Sequence, residues 1–233
     1  MHQPKPIYSI SSIYDKESKM RKAKILGLAV ATGTVMSLLS GAALAGEQTR
    51  NAGSFSSIRT QGALIVEVEV GPVASIKVKG DDKYIAKVVT DVVGDELLIS
   101  YKEKNNIRIS DDLKVIVTTP NLTKFKMEGA GMTTVKKITG DRFDLNYEGV
   151  GMLVMSGKVN SFKVRAQGVG HVDAKELIAE SVDANVEGIG SVKVYATEKL
   201  KANVQGIGSL TYYGNPKNIS KSVEGIGGVS AGK

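Results

Sequence analysis

Over roughly the last 110 residues, apolar and polar positions alternate with a period of two, and the alternation restarts at near-constant intervals. Six landmarks set the frame, each a glycine-x-glycine preceded by Glu or Gln. Their glycines are Gly129 and Gly131, Gly149 and Gly151, Gly168 and Gly170, Gly188 and Gly190, Gly206 and Gly208, and Gly225 and Gly227. The first glycines fall 20, 19, 20, 18 and 19 residues apart. Six positions back stand Thr123, Phe143, Phe162, Val182, Leu200 and Ile219. Four back stand Phe125, Leu145, Val164, Ala184, Ala202 and Lys221, and two back Met127, Tyr147, Ala166, Val186, Val204 and Val223. The positions between are polar, as at Lys126, Asn146, Arg165, Asn185, Asn203 and Ser222. Such alternation marks a strand with one face in a core and the other in water.

A second strand follows each glycine pair, with Leu153 and Met155, Val172 and Ala174, or Val192 and Val194 as its apolar members. A polar return such as Ser156-Gly157-Lys158 or Thr197-Glu198-Lys199 closes the unit. A fixed period of this size means one supersecondary unit stacked on copies of itself. The pattern therefore predicts an all-β chain, a right-handed parallel β-helix or solenoid of about six 19-residue repeats, each turning at a glycine corner. The glycines supply backbone dihedrals that a Cβ resists, where stacked coils leave little room. The residue between them (Ala, Val or Ile) is expected to turn inward and fill the corner.

Upstream, residues 53–120 are strand-rich without the glycine unit. Leu64 to Val70, Ser75 to Lys79, Leu97 to Ser100 and Leu113 to Val117 read as strands between turn residues. They are either antiparallel hairpins capping the stack or its irregular first coils. The expected layout is thus an N-terminal β region over 46–120 and repeats over 121–233.

The first 45 residues have a different character. Met20-Arg21-Lys22-Ala23-Lys24 is a basic lead, Ile25 to Leu39 an uncharged and mostly apolar core, and Ala43-Leu44-Ala45 a small-x-small cleavage pattern. Residues 20–45 are therefore expected to be an export signal cut near Ala45/Gly46, placing the mature chain in the periplasm or outside the cell. The apolar run is too short and too polar for a permanent transmembrane helix, so an integral membrane protein is not expected. Residues 1–19 fit neither signal nor domain, and Met20 is the expected start, with a long basic lead as the alternative.

Without residues 1–45 the balance is 25 Lys/Arg (31 less 6) against 22 Asp/Glu (24 less 2), a net +3 instead of +7. That near-balance excludes the basic stripe of a dedicated nucleic-acid binder. The chain has no Cys. Disulfides, thiolate metal sites and a lipid-modified Cys are excluded with it.

The ordered set Phe55 to Ile58, Ile76-Lys77-Val78-Lys79-Gly80-Asp81, Glu96-Leu97-Leu98-Ile99 and Val117-Thr118-Thr119-Pro120-Asn121-Leu122 precedes the glycine units, and Tyr213-Gly214-Asn215-Pro216 follows five of them. Over roughly residues 53–215 this resembles the head GIN domain family of auto-transporter adhesins. The resemblance implies an exported bacterial protein of single-stranded β-helix type and carries no catalytic residues. The sixth unit, Glu224 to Gly228, runs past the family's usual end.

Candidate chemistry is sparse. Glu128, Glu148, Gln167, Glu187, Gln205 and Glu224 precede the first glycines and would form a column about 5 Å apart per step. It reads either as a solvated ladder, its Gln residues relieving carboxylate repulsion, or as a cation- or partner-binding stripe. Calcium needs six to eight converging oxygens, and no Asp-rich loop supplies them. Tyr195 and Tyr213 share one outward position and would make a cross-strand pair or a platform for a sugar ring. His171, the one His after the signal, reads as an exposed turn residue. Asp173 and Asp183 stand too isolated for the paired carboxylates of a polysaccharide-cleaving enzyme. The expectation is a non-enzymatic adhesion or interaction module of the cell envelope, without cofactor or metal, whose partner is a protein or glycan. A self-associating envelope protein, pairing through the C-terminal coil edge, is the second reading, and a carbohydrate-active β-helix enzyme the third.

Overall fold

The structure, a computed structural model, describes residues 46–102 and 113–233. The expected upstream extension and export signal lie outside the described residues. The fold is all-β. Ten strands join in one sheet, and the only helix among the described residues is the single turn α1 (Asp82–Ile85), N-capped by the Asp81 side chain.

The strands are β1 (Gly46–Arg50), β2 (Ser57–Val70), β3 (Ser75–Gly80), β4 (Val88–Val93), β5 (Glu96–Tyr101), β6 (Lys114–Thr119), β7 (Lys124–Gly206), β8 (Ser209–Tyr213), β9 (Asn218–Gly225) and β10 (Gly228–Ala231). The four strands expected between residues 64 and 117 are present as β2, β3, β5 and β6. β7 is one extended run of 83 residues that passes through the first four glycine pairs without a break.

The question left open for residues 53–120 has a mixed answer. β1–β3, β3–β6 and β4–β5 pair antiparallel, the last around the two-residue turn Gly94-Asp95. β2 instead runs parallel to β7, with Ser57 to Glu69 in register with Lys124 to Lys136. Gln61-Gly62-Ala63 thereby lies beside Glu128-Gly129-Ala130, so a further glycine corner precedes the six legible in the sequence. Its second glycine is replaced by Leu64, which faces Gly131.

Beyond β2 the chain pairs with itself at the period of the repeat. Lys199 to Gly206 of β7 is parallel to β9, Ser191 to Tyr195 to β8, and β8 to β10. The apolar columns are buried: Phe143, Phe162, Val182 and Leu200 six back, with Phe125, Leu145, Val164, Ala184 and Ala202 four back. The second of these columns shrinks steadily from Phe to Ala. Phe143 and Phe162 stack with ring centroids 6.2 Å apart. In β9 the same columns hold Ile219, Lys221 and Val223, and all three are exposed. There Lys221 Nζ donates to Tyr212 Oη at 3.1 Å and sits 4.5 Å above that ring.

The corners differ from expectation in one respect. The residue between the glycines faces out: Val150, Val169, Ile189 and Ile207 are 49–57% exposed, and Ile226 84%. Alternation does not stop at the corner. Val186 is inward, Glu187 outward, Gly188 inward, Ile189 outward, Gly190 inward, and Val192 inward again. The glycines therefore take the inward positions, where the backbone of the preceding unit closes on them. A Cβ on Gly149 would lie 2.4 Å from Gly129 O, on Gly168 2.2 Å from Gly149 O, and on Gly188 2.4 Å from Gly168 O. Carbon–oxygen contacts normally begin near 3.3 Å, so no side chain fits. Tyr147 lies inside the corners at Gly151 and Gly170, its hydroxyl donating to Gly151 O at 3.1 Å.

Candidate interaction surface

Because alternation is unbroken, three outward columns flank each corner: the Glu/Gln column before it, the aliphatic residues on it, and Met132, Met152, His171, Ser191, Ser209 and Gly228 after it. In the first of these, Gln205 pairs directly with Glu224 in β9. Gln61 is its missed seventh member, opposite Glu128.

Much of this column is internally partnered. Glu128 accepts from Arg59 Nε at 2.8 Å and from a second guanidinium nitrogen at 2.9 Å, and from Gln61 Nε2 at 2.7 Å. Lys126 also pairs with it, and reaches Glu148 at 3.4 Å. The Arg59 fork, aided by Lys126 and Gln61, holds the Glu128 carboxyl at a pKa of about 2. A bidentate Arg–carboxylate pair is the strong form of such contacts. Further along, Gln167 Nε2 donates to Glu187 at 2.5 Å and Gln205 Nε2 to Glu224 at 3.3 Å. Each Gln of the column thus donates to the carboxylate of the next unit, which replaces repulsion by a hydrogen bond.

Beside the last three members lies an open depression of about 280 Å³, lined by Asn185, Glu187, Asn203, Gln205, Ser222 and Glu224 and backed by Val186 and Val204. Asn203 Nδ2 donates to Asn185 Oδ1 at 2.8 Å across its floor. Its walls are amides, a hydroxyl and carboxylates, chemistry suited to neutral hydroxyl-rich or amide ligands. Tyr195 and Tyr213 stand in register as expected. Their rings lean over the glycines of the following unit, since a Cβ on Gly214 would meet Tyr195 Cε1 at 2.5 Å and one on Gly232 would meet Tyr213 Cε1 at 2.2 Å. The two rings therefore cover backbone as well as facing solvent.

His171 is exposed on a strand instead of a turn, its Nδ1 2.7 Å from Ser191 Oγ. Asp173 accepts from Lys193 at 3.2 Å, and Asp183 faces Lys201 at 3.9 Å. Among the described residues no group of three or more His, Asp or Glu is placed to hold a metal ion. No helix among them is long and apolar enough to cross a membrane, a fact that leaves strand-crossing proteins aside.

The geometry defines an all-β protein whose exposed face is built from repeated columns. Residues 54–216 match the family described as putative auto-transporter adhesin, head GIN domain, and the chain belongs to that family. Among solved structures it is similar to a putative adhesin from Bacteroides fragilis, with 22% identity, a TM-score of 0.69, and coverage of 80% of this chain and 96% of that one. A putative adhesin from Parabacteroides merdae matches at 15% identity and a TM-score of 0.50, covering 83% of this chain and 98% of the other. At these identities the likeness concerns the fold. No curated protein matches the chain.

Proposed function

We propose that the chain is an exported interaction module of the bacterial cell envelope, a non-enzymatic adhesin built as a right-handed parallel β-solenoid over residues 121–233 on an N-terminal β region over 46–120. Family membership and the adhesins of similar fold support the class. The observation that carries the reading is the repetition of identical outward positions on a packed core. Glu187, Gln205 and Glu224, with Asn185, Asn203 and Ser222 beside them, offer one polar motif three times along a single open surface. Such a surface suits an extended partner, a glycan or a protein segment, better than a small substrate, which is held in a concave pocket. Export rests on the basic-apolar-small pattern of residues 20–45.

The test is a binding screen of the purified protein against glycan arrays and envelope extracts, repeated with Asn203→Asp and Gln205→Ala. Binding lost in these variants supports the assignment. Uniformly negative screens count against it.

A second reading is favoured by one specific observation. In β9 the positions that are buried in the four preceding units, here Ile219 and Val223, are exposed at 44% each. The outer edge of β9 has no strand partner among the described residues. An open edge of this kind is a template for another chain, and self-association through it makes a structural envelope protein. A strictly monomeric sedimentation profile at high concentration would remove this alternative.

A further inference from the structure

The corner residues form a ridge that neither reading uses. Ala130, Val150, Val169, Ile189, Ile207 and Ile226 stand outward one above another, and the last five are the exposed aliphatics described above. Met132 and Met152, 50% and 40% exposed, thicken its first two rungs. Bulk on the ridge rises from Ala to Ile along the chain. Bulk in the neighbouring column falls the opposite way, from Met132 to Gly228. A contiguous exposed apolar strip of this kind marks an interaction site.

We propose that this ridge is the contact between two copies of the chain, lying side by side and antiparallel across a two-fold axis between the Val169 and Ile189 rungs. The proposal rests on the stacked-coil reading and is independent of the β9 edge. Both size and charge select the second copy and its register. Across the axis Ala130 meets Ile226 and Met132 meets Gly228, so at the two ends of the ridge a large side chain faces a small one, while Val150 meets Ile207 and Val169 meets Ile189 at its centre. The same operation lays the two Glu/Gln columns along each other: Gln167 meets Glu187, and Glu148 meets Gln205. The one carboxylate pair, Glu128 with Glu224, falls where Arg59 and Lys126 already compensate Glu128. Sliding the copies by one rung toward the C-terminal end sets Glu187 against itself. Isologous contact of this self-complementary kind is the commonest route to a homodimer.

The area sets the strength. Six rungs about 4.8 Å apart span about 24 Å, and three outward positions span about 13 Å. That footprint is under half of the roughly 800 Å² per partner in a standard interface, so the association is of the weak, transient class.

The absence of cysteine makes the test clean. Val150→Cys and Ile207→Cys are made as separate proteins, mixed at about 100 µM and mildly oxidised. A disulfide between the two, with little self-linking of either, is the expected result, because each position faces the other and lies three rungs from its own copy. Equal self-linking, or no link at all, overturns the proposal. In sedimentation, Ile189→Lys is expected to shift the protein to monomer with an unchanged far-UV spectrum, while Ile219→Lys leaves the dimer intact. The reverse pattern assigns association to the β9 edge and overturns the ridge. A single chain carrying Val169→Cys with Ile189→Cys checks the stack itself, since neighbouring strands are within disulfide reach. If that internal bridge closes while the intermolecular one fails, the ridge contact is wrong and the stack stands. If neither forms, both are wrong.

Discussion

Four glycines separate the two reasons for which a corner excludes a side chain. Gly151 has φ +138°, and a Cβ there would lie 2.0 Å from Gly131 O and 3.1 Å from that residue's carbonyl carbon. It faces both backbone strain and collision. Gly190 lies outside the positive-φ region, yet a Cβ would fall 2.1 Å from Gly170 O, so it faces collision alone. Gly140 has φ +137° with nothing within 4 Å, which isolates strain. Gly53 has neither burden, its nearest neighbour being Val92 at 3.8 Å. Left-handed strain costs an L-residue about 1–2 kcal/mol, and forced overpacking about 1–3 kcal/mol. Alanine is therefore expected to destabilise by roughly 2–5 kcal/mol at Gly151, by about 1–3 at Gly190 and by about 1–2 at Gly140. At Gly53 it is expected to be neutral or to stabilise by up to about 1 kcal/mol through the unfolded chain. Urea unfolding followed by far-UV dichroism and tyrosine fluorescence gives these values where the two probes coincide. If Gly190→Ala unfolds with the wild type, the close approach of successive units at the corner is not real and the packing argument fails.

Three further outcomes follow from the columns. Glu128→Gln is expected to remove an acid-sensitive component: the carboxyl's folded pKa is depressed to about 2, so its contribution is present above pH ~4.5 and lost as pH falls toward ~2, amounting to about 1–3 kcal/mol after allowance for solvent screening. Parallel loss of melting temperature in wild type and variant across that window would refute it. Tyr147→Phe should cost about 1 kcal/mol in urea by leaving Gly151 O without its donor, and an unchanged midpoint would show that water replaces the hydroxyl. Gln205→Glu adds a carboxylate next to Glu224 and should lower stability at neutral pH by about 0.5–1 kcal/mol, recovering in high salt; a loss indifferent to salt would point to packing instead.

The inward columns were legible in the sequence because period-two alternation reports a face directly, and Phe143, Val164 and Val204 are buried as the pattern requires. The outward turn of Val150 and Ile189 was legible too, had the count been carried through the glycines, since both glycines have inward parity. Glycine here is the inward residue of a bent strand and does not interrupt the count. The corner at Gly62 escaped because Leu64 stands for its second glycine and because β3 to β6 intervene before its neighbour at Gly129. The antiparallel partners of β1, β3 and β6 were not legible, as alternation tells a strand's face and not its neighbour. The same holds for the Arg59 fork on Glu128, which joins residues 69 apart. The donation of Gln167 and Gln205 to the carboxylate one unit on likewise joins residues 20 and 19 apart and required the structure.

The pairings also differ in the length of chain they close, only 18 or 19 residues for β7–β8, β7–β9 and β8–β10. Docking residues 57–69 onto 124–136 closes a loop of more than sixty residues, whereas every later rung closes only a short one. Loop closure costs more as the loop lengthens, though slowly, and contacts distant in sequence slow folding. Docking of β2 onto β7 is thus expected to be the slow step of folding, and the pairings that close short loops the fast ones.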